Sequence, residues 1–226
     1  MSRPKIAVLS SGTETSGGSS LEEFILDSKV GKLDAEIVAV ICNHSDGGVR
    51  QKANKYEIPF HLFNGPWTAG RYQLIAKHTG AQWFVLLDWF RFVDGLNLNT
   101  AFNSKTVFGI YPGPLAEFDK PGLYGQHVHA AVMMAFRKGE ISHTAVSMYF
   151  VTSECGRGPV FFEQKIKIKD DDTLQTMSQR AGHYKRFWQP QITNLVVNDQ
   201  IKWDGVHPES LRCPEGYEIT RFENEV

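Results

Sequence analysis

The chain has 226 residues, 42% of them hydrophobic, enough for one substantial core without requiring a second full domain. A formal net charge of -1 leaves no basic field for nucleic acid and no charge block for a membrane surface. No stretch approaches the roughly 18 apolar residues of a membrane span, and the chain enters a strand pattern at once, so a cytoplasmic protein is expected.

Taken in order, strand and helix signals alternate. Lys5–Ser10 is a short β-rich apolar run. Ser10–Ser20 is a loop of Gly, Ser and Thr that leads into a helix start at Leu21–Lys29, with carboxylates at Glu22 and Glu23. Glu36–Cys42 reads as the second strand, Gly47–Tyr56 as a helix, Pro59–Leu62 as a short third strand, Ala69–Gly80 as another helix and Trp83–Leu87 as the next buried strand. Runs apolar on both faces, repeated in β-α-β order, predict a parallel twisted sheet covered by helices. The second half changes character. Gln126–Arg137 predicts a helix, while Thr144–Val151 and Val160–Ile168 alternate in places with period two and can pair as antiparallel strands. Acidic residues at Asp170–Asp172, followed by Thr173, suit a helix N-terminus, with the helix running toward Trp188 and resuming after Pro190. From about Trp203 the chain is punctuated by Pro and Gly and is expected to lie over the surface.

Two stretches stand out for function. Lys105–Gly125 and Met148–Val160 each carry an apolar run that breaks into a Gly/Pro-rich loop, which suggests buried strands delivering backbone to a site at their carboxyl ends. In an open α/β sheet that edge is where ligands bind. The Ser10–Ser20 loop is a further candidate, because unpaired backbone N–H groups at a helix start favour an anion. Its spacing is neither a P-loop nor GxGxxG, and an ordinary βα connection explains it equally well. His127 and His129 sit two apart and cannot face one ligand on a helix, so packing or hydrogen bonding is the simpler role. Tyr149, Phe150, Phe161 and Phe162 read as core aromatics, and Asp170–Asp172 as a solvated helix start. Cys42, Cys155 and Cys213 are an odd number without a CxxC pair, so neither a disulfide framework nor a metal site is expected. Cys155, beside Glu154 and Arg157, has a setting that can lower a thiol pKa, although an unreactive thiol is the simpler reading.

The segments KIAVLSSG, GGSSLEEF, WFRFV, IYPGPL, KPGLYGQHVHAAV, SMYFVTSECGRGPVFF, FWQPQ and IKWDG, in that order, make the chain resemble the glycinamide ribonucleotide transformylase (phosphoribosylglycinamide formyltransferase) family over roughly Lys5–Gly205. The resemblance implies an α/β, Rossmann-like formyltransferase fold: a mostly parallel twisted sheet, helices on both faces and an antiparallel C-terminal part. One domain over 1–205 is expected, with 206–226 as a tail packed on it or extending from it. The resemblance also implies purine biosynthesis and direct formyl transfer from 10-formyltetrahydrofolate to the substrate amine. By the same resemblance the first loop, at Gly12, Gly17, Gly18, Ser19 and Ser20, holds the substrate's ribose phosphate. The main chain at Arg91, Phe92 and Val93 reads the folate pterin.

The family's chemistry depends on an Asn and a His in N-x-H-P and on an Asp in the second loop, which stabilise the tetrahedral oxyanion and move protons. This sequence has Gly109 at the Asn position, Tyr111 at the His position and Gly156 at the Asp position. Near the final helix the family's Glu-His pair is replaced by Lys185 and Arg186, inverting the charge that would meet an ammonium group. Removing one oxyanion donor costs about 10²–10³ in rate, so ordinary formyl transfer is expected to be lost or strongly impaired. The cleft is then expected to serve a related small phosphorylated or amine-bearing metabolite, with Tyr111, Glu154, Cys155, Lys185 and Arg186 as the new ionisable groups. Tyr111 leads as acid or hydrogen-bond donor and Lys185 as anion-recognising group. Two alternatives stand beside this: a non-catalytic ligand-binding or regulatory homologue, and an active transformylase using substitute residues. The expected partner is a small molecule, with 10-formyltetrahydrofolate or another folate as cofactor, no metal, no nucleic acid and no membrane, in a monomer or homodimer.

Overall fold

The computed structural model describes residues 2–13, 17–118, 123–153 and 158–223. Strands β1 (Lys5–Leu9), β2 (Glu36–Cys42), β3 (Phe60–Leu62), β4 (Trp83–Leu86) and β5 (Val107–Tyr111) pair in parallel. Helices α1 (Ser19–Lys29), α2 (Gly48–Lys55) and α3 (Ala69–Thr79) connect the first four of them. After β5 come α4 (Leu115–Phe118), α5 (Gln126–Arg137), β6 (His143–Phe150), β7 (Val160–Lys167), α6 (Leu174–Val197) and β8 (Thr220–Phe222). One eight-stranded sheet results, in the order β3-β2-β1-β4-β5-β6-β7-β8. The β5–β6 and β6–β7 pairs are antiparallel.

Side-chain alternation explains the layers. Along β1, Ile6 and Val8 face a core shared with α1, α2 and α6, while Ala7 and Leu9 face a second core shared with α3. Both faces must be covered because both are apolar. A third cluster joins Tyr111 and Leu115 to Val128, Val132 and Met133 of α5, which places that helix against the end of β5.

Four expectations need correction or completion. α6 is continuous through Pro190 and does not stop and resume there. An interior proline removes one backbone donor and costs about 3 kcal/mol. The buried Ala181, Ile192 and Val196 on both sides of it hold the helix against the sheet and outweigh that cost. Second, the segment expected to lie over the surface does so, 204–223 being exposed or half-buried, but it also supplies β8, which pairs in parallel with β7 as the edge strand. Third, the antiparallel register places Tyr111 opposite Ser147 and Phe108 opposite Phe150. The Val151 amide accordingly donates to the Val107 carbonyl at 2.9 Å, so the loops following β5 and β6 leave the pair at opposite ends and not together at one carboxyl edge. Asp172 also departs from the solvated start expected of it, because it is ion-paired to Arg180.

Candidate functional site

The connection from β1 leads toward β2 on one side of the sheet, while β4 lies on its other side, so the strand order reverses between β1 and β4. A crevice opens at the carboxyl ends of strands about such a point. Here it is a cavity of about 380 Å³, lined by Ser20, Asp88, Phe90, Pro112, Gly125, Gln126, His129, Val146, Ser178, Ala181, Gly182, Lys185 and Arg186. The exits of β1 and β4 are laced together. The Ser11 amide donates to the Asp88 carbonyl at 3.0 Å, and the Phe90 amide donates to Ser11 Oγ at 2.9 Å. Asp88 has φ 59, a left-handed conformation that Asp tolerates better than most residues.

From that turn the Asp88 carboxylate meets α6. Lys185 Nζ lies 2.6 Å from Asp88 Oδ1 and 3.2 Å from Ser20 Oγ, which ties the start of α1, the exit of β4 and the middle of α6 into one polar cluster. The Asp88 carboxyl is held below its ordinary pKa: burial pushes it up, but the Lys185 ammonium and the Ser20 hydroxyl outweigh that push. His129, only 7% exposed, lines the same cavity, and its Nδ1 is buried without a hydrogen-bond partner. Burial first, and the Lys185 charge second, lower its pKa to about 4, so the imidazole is neutral at physiological pH. Two helices begin at this cavity. α1 follows Gly18 and α5 follows Gly125, glycine N-caps that supply no side-chain bond, so among the described residues the positive ends of both dipoles face the cavity. At the rim, Arg186 Nε lies 3.5 Å from Glu23 Oε1.

The candidate residues divide sharply. Lys185 and Arg186 line the cavity, as does Ser20. The glycines of the first loop have a packing explanation. A Cβ at Gly18 would lie 3.1 Å from the Gly48 backbone, and one at Gly48 would lie 2.1 Å from the Gly17 carbonyl oxygen, so glycine lets the starts of α1 and α2 touch. Gly17 and Gly18 also have φ 104 and φ 82, and the Gly12 amide donates to Asn43 Oδ1 at 3.1 Å. Ser19 opens α1 beside them.

Gly109 lies directly opposite Tyr149, whose ring occupies the space in front of it: a Cβ on Gly109 would be 3.2 Å from both Cζ and Oη. Tyr111 is 7% exposed in the α5 cluster and donates its hydroxyl to the Phe118 carbonyl at 2.7 Å, so proton donation to a ligand would require that bond to break. At the folate-reading segment, the Arg91 guanidinium stacks over Trp67 at 4.5 Å. Phe92 is exposed while its carbonyl accepts the Tyr72 hydroxyl at 2.8 Å, and Val93 is buried. Glu154, Cys155 and Gly156 lie outside the described residues. His127 and His129 separate as their spacing requires: the first is exposed against Tyr124, the second buried. Among the described residues, no group of three or more metal-ligating side chains stands together, and no helix is long and apolar enough to cross a membrane.

Sequence reasoning missed Asp88 and gave His129 a packing or hydrogen-bonding role. The available signal for Asp88 was its position, a carboxylate immediately after the buried WFVLL run, at the edge where crevices form.

Comparison with known proteins agrees with the architecture. A family model described as formyl transferase matches residues 4–193. The chain is 24% identical over 214 residues to the chloroplastic phosphoribosylglycinamide formyltransferase of Arabidopsis thaliana, covering 90% of this chain and 70% of the relative. It is 25% identical over 200 residues to phosphoribosylglycinamide formyltransferase of Bacillus subtilis, covering 85% and 94%. Among solved structures, glycinamide ribonucleotide transformylase 1 of Symbiobacterium toebii superposes with a TM-score of 0.76 at 18% identity, over 94% of this chain and 95% of that one.

Proposed function

The chain belongs to the formyl transferase family, and from that premise we propose that it is a diverged member in which ordinary formyl transfer is lost or strongly impaired, its crevice serving another small phosphorylated or amine-bearing metabolite. The observation that carries this is the Gly109–Tyr149 contact. By family resemblance position 109 supplies an oxyanion donor. Here it has no side chain, and the ring of Tyr149 stands where one would project. Tyr111, at the other donor position, has its hydroxyl committed to Phe118. One lost donor alone costs about 10²–10³ in rate, and groups that act as a unit do not recover activity one at a time.

A folate fits the described residues only in part. The Phe92 carbonyl in the segment expected to read the pterin already accepts from Tyr72, which leaves one of its two lone pairs for a ligand. We therefore assign no step to folate. The crevice residues that would act on a ligand are Lys185, Arg186, His129 and Ser20: the first two supply positive charge, the third a neutral ring, and the fourth a hydroxyl at the start of α1.

The test is calorimetric titration with glycinamide ribonucleotide and with a stable folate analogue, followed by a formyl-transfer assay under the same conditions. Binding of one ligand, or of both without transfer, is the expected result. Transfer at a rate within about tenfold of an ordinary family member would sink the proposal, since the loss expected from missing donors is larger.

A further inference from the structure

We propose that the crevice between β1 and β4 accepts an oxyanion, carboxylate or phosphate, at its Lys185–Arg186 end, and that Asp88 is a built-in counter-ion which this oxyanion displaces from Lys185. This deepens, and rests on, the reading of that crevice as the ligand site.

The charges around the cavity favour that sign. Lys185 and Arg186 face it from α6, and the uncapped starts of two long helices, α1 and α5, open onto it. The only carboxylate lining it, among the described residues, is Asp88, already bonded to Lys185 at 2.6 Å. An entering ammonium would have to compete with Lys185 for Asp88 and with Arg186 for Glu23, and would face two helix N-termini. An entering oxyanion meets donors. His129 adds a second, independent indication, since its buried Nδ1 has no partner on a cavity-lining ring that is neutral at physiological pH. In the tautomer that protonates Nδ1, a ligand oxygen would complete its bonding, and a buried polar atom left unpaired is otherwise unfavourable.

The exposures say which partner of the ion pair moves. The Lys185 side chain is 13% exposed and fixed on a helix, while the Asp88 side chain is 35% exposed on a turn. Asp88 can therefore rotate its carboxylate into water and leave Lys185 to the ligand, whereas Lys185 has no comparable route out. Asp88 thus raises the affinity threshold: a weak or singly contacting anion does not displace it, and one that also reaches Arg186 or the helix starts does.

The experiment is titration calorimetry of the full chain at constant ionic strength with three probes: inorganic phosphate, sodium succinate and, as the ammonium control, glycinamide hydrochloride. The two anions distinguish phosphate from carboxylate as the preferred group. Saturable binding of at least one anion is expected, with no binding of glycinamide. Asp88→Asn keeps a residue that tolerates the left-handed turn and removes the competing charge, so it should tighten the anion about tenfold. Lys185→Gln should weaken it by at least as much, and Arg186→Gln supplies the same test on the exposed rim if Lys185→Gln does not fold. Opposite signs for Asp88→Asn and Lys185→Gln separate a ligand-exchanging pair from a structural one. The proposal is overturned if Asp88→Asn weakens binding as Lys185→Gln does. It is also overturned if glycinamide binds and the anions do not, which leaves the crevice as a ligand site of the other sign. Binding of none of the probes overturns the proposal, and absence of glycinamide ribonucleotide and folate binding as well would overturn the crevice reading with it.

Discussion

The seam between β5 and β6 and the crevice between β1 and β4 are neighbouring parts of one sheet with opposite character. At the seam, Gly109 is covered by the Tyr149 ring and the Tyr111 hydroxyl is bonded within the chain, so the positions that carry family chemistry are packed. At the crevice, an ion pair, an unpaired buried imidazole nitrogen and two open helix starts surround an empty volume. Packing satisfies its own contacts. Unsatisfied polar groups need a partner from outside, and they indicate where a ligand is to be sought.

The largest effect expected at the seam comes from Tyr149. Replacing it by Ala removes a half-buried ring that fills the space before Gly109 and should cost about 2–3 kcal/mol, less than the loss of a fully buried aromatic. Gly109→Asn should also destabilise, by about 1–3 kcal/mol, because its Cβ would press on the ring. The combination Gly109→Asn with Tyr149→Ala should be more stable than the sum of the two by at least about 0.5 kcal/mol, read by urea unfolding in a double-mutant cycle. Strict additivity would mean that the two side chains do not compete for one space and that the seam is not packed against Gly109.

The crevice should reveal itself through pH. Free imidazole titrates near pH 6.5, and His129 in the folded chain is lowered to about 4. The neutral form is favoured by folding, so its contribution is complete above about pH 6.5 and is lost as pH falls toward 4. At about 1.4 kcal/mol per pH unit this amounts to about 3 kcal/mol. His129→Gln should flatten the stability profile over that window while leaving the profile below it unchanged. A wild-type profile already flat between pH 6.5 and 4 would show that the ring is not held neutral.

How much of this was legible in the sequence depends on the range of the interaction. α5 is read over its full Gln126–Arg137 span because Val128, Val132 and Met133 repeat at helical spacing. The parallel half is read equally well from runs apolar on both faces. α6 is interrupted on paper because Pro190 is a local signal, while the packing that carries the helix past it is tertiary. β8 has three residues, too few to show a period. Gly109 and Tyr111 are visible as departures from a motif, but the sequence does not show that Tyr149, forty residues on, occupies the vacated space. Asp88 and Lys185 are 97 residues apart, and nothing in the spacing of either announces their contact.

α6 carries the crevice's cations, and the residue just before its N-cap offers a smaller acid-range test. Asp172 is paired to Arg180, whose guanidinium holds its carboxyl at about 2, below the ordinary value. A depressed carboxylate contributes stability that is present above its unfolded pKa, near 3.9, and is lost as pH falls through 2. Asp172→Asn should therefore lower stability at neutral pH by up to about 2 kcal/mol and remove the change between pH 4 and 2. This window lies below that of His129, so the two residues are separable in one titration. If Asp172→Asn instead changes the pH 6.5 to 4 region, the helix start and the crevice are coupled, and the crevice is less independent than its geometry implies.

The smallest effect tests that independence without charge. The Thr173 side chain accepts a bond from the Thr176 amide at 3.1 Å, while Thr176 Oγ1 accepts from the Thr173 amide at 3.0 Å, so both ends of a capping box are satisfied. Thr173→Ala should cost about 1 kcal/mol, typical of a lost N-cap, seen as a lower midpoint in urea. Lys185 lies twelve residues further along the same helix, beyond three turns of intact backbone bonds, and its partners Asp88 and Ser20 belong to other elements. Fraying of the first turn should therefore leave anion affinity at the crevice unchanged. A parallel loss of stability and affinity in Thr173→Ala would show instead that the position of Lys185 is set from the helix start, and that the crevice takes its geometry from the packing of α6.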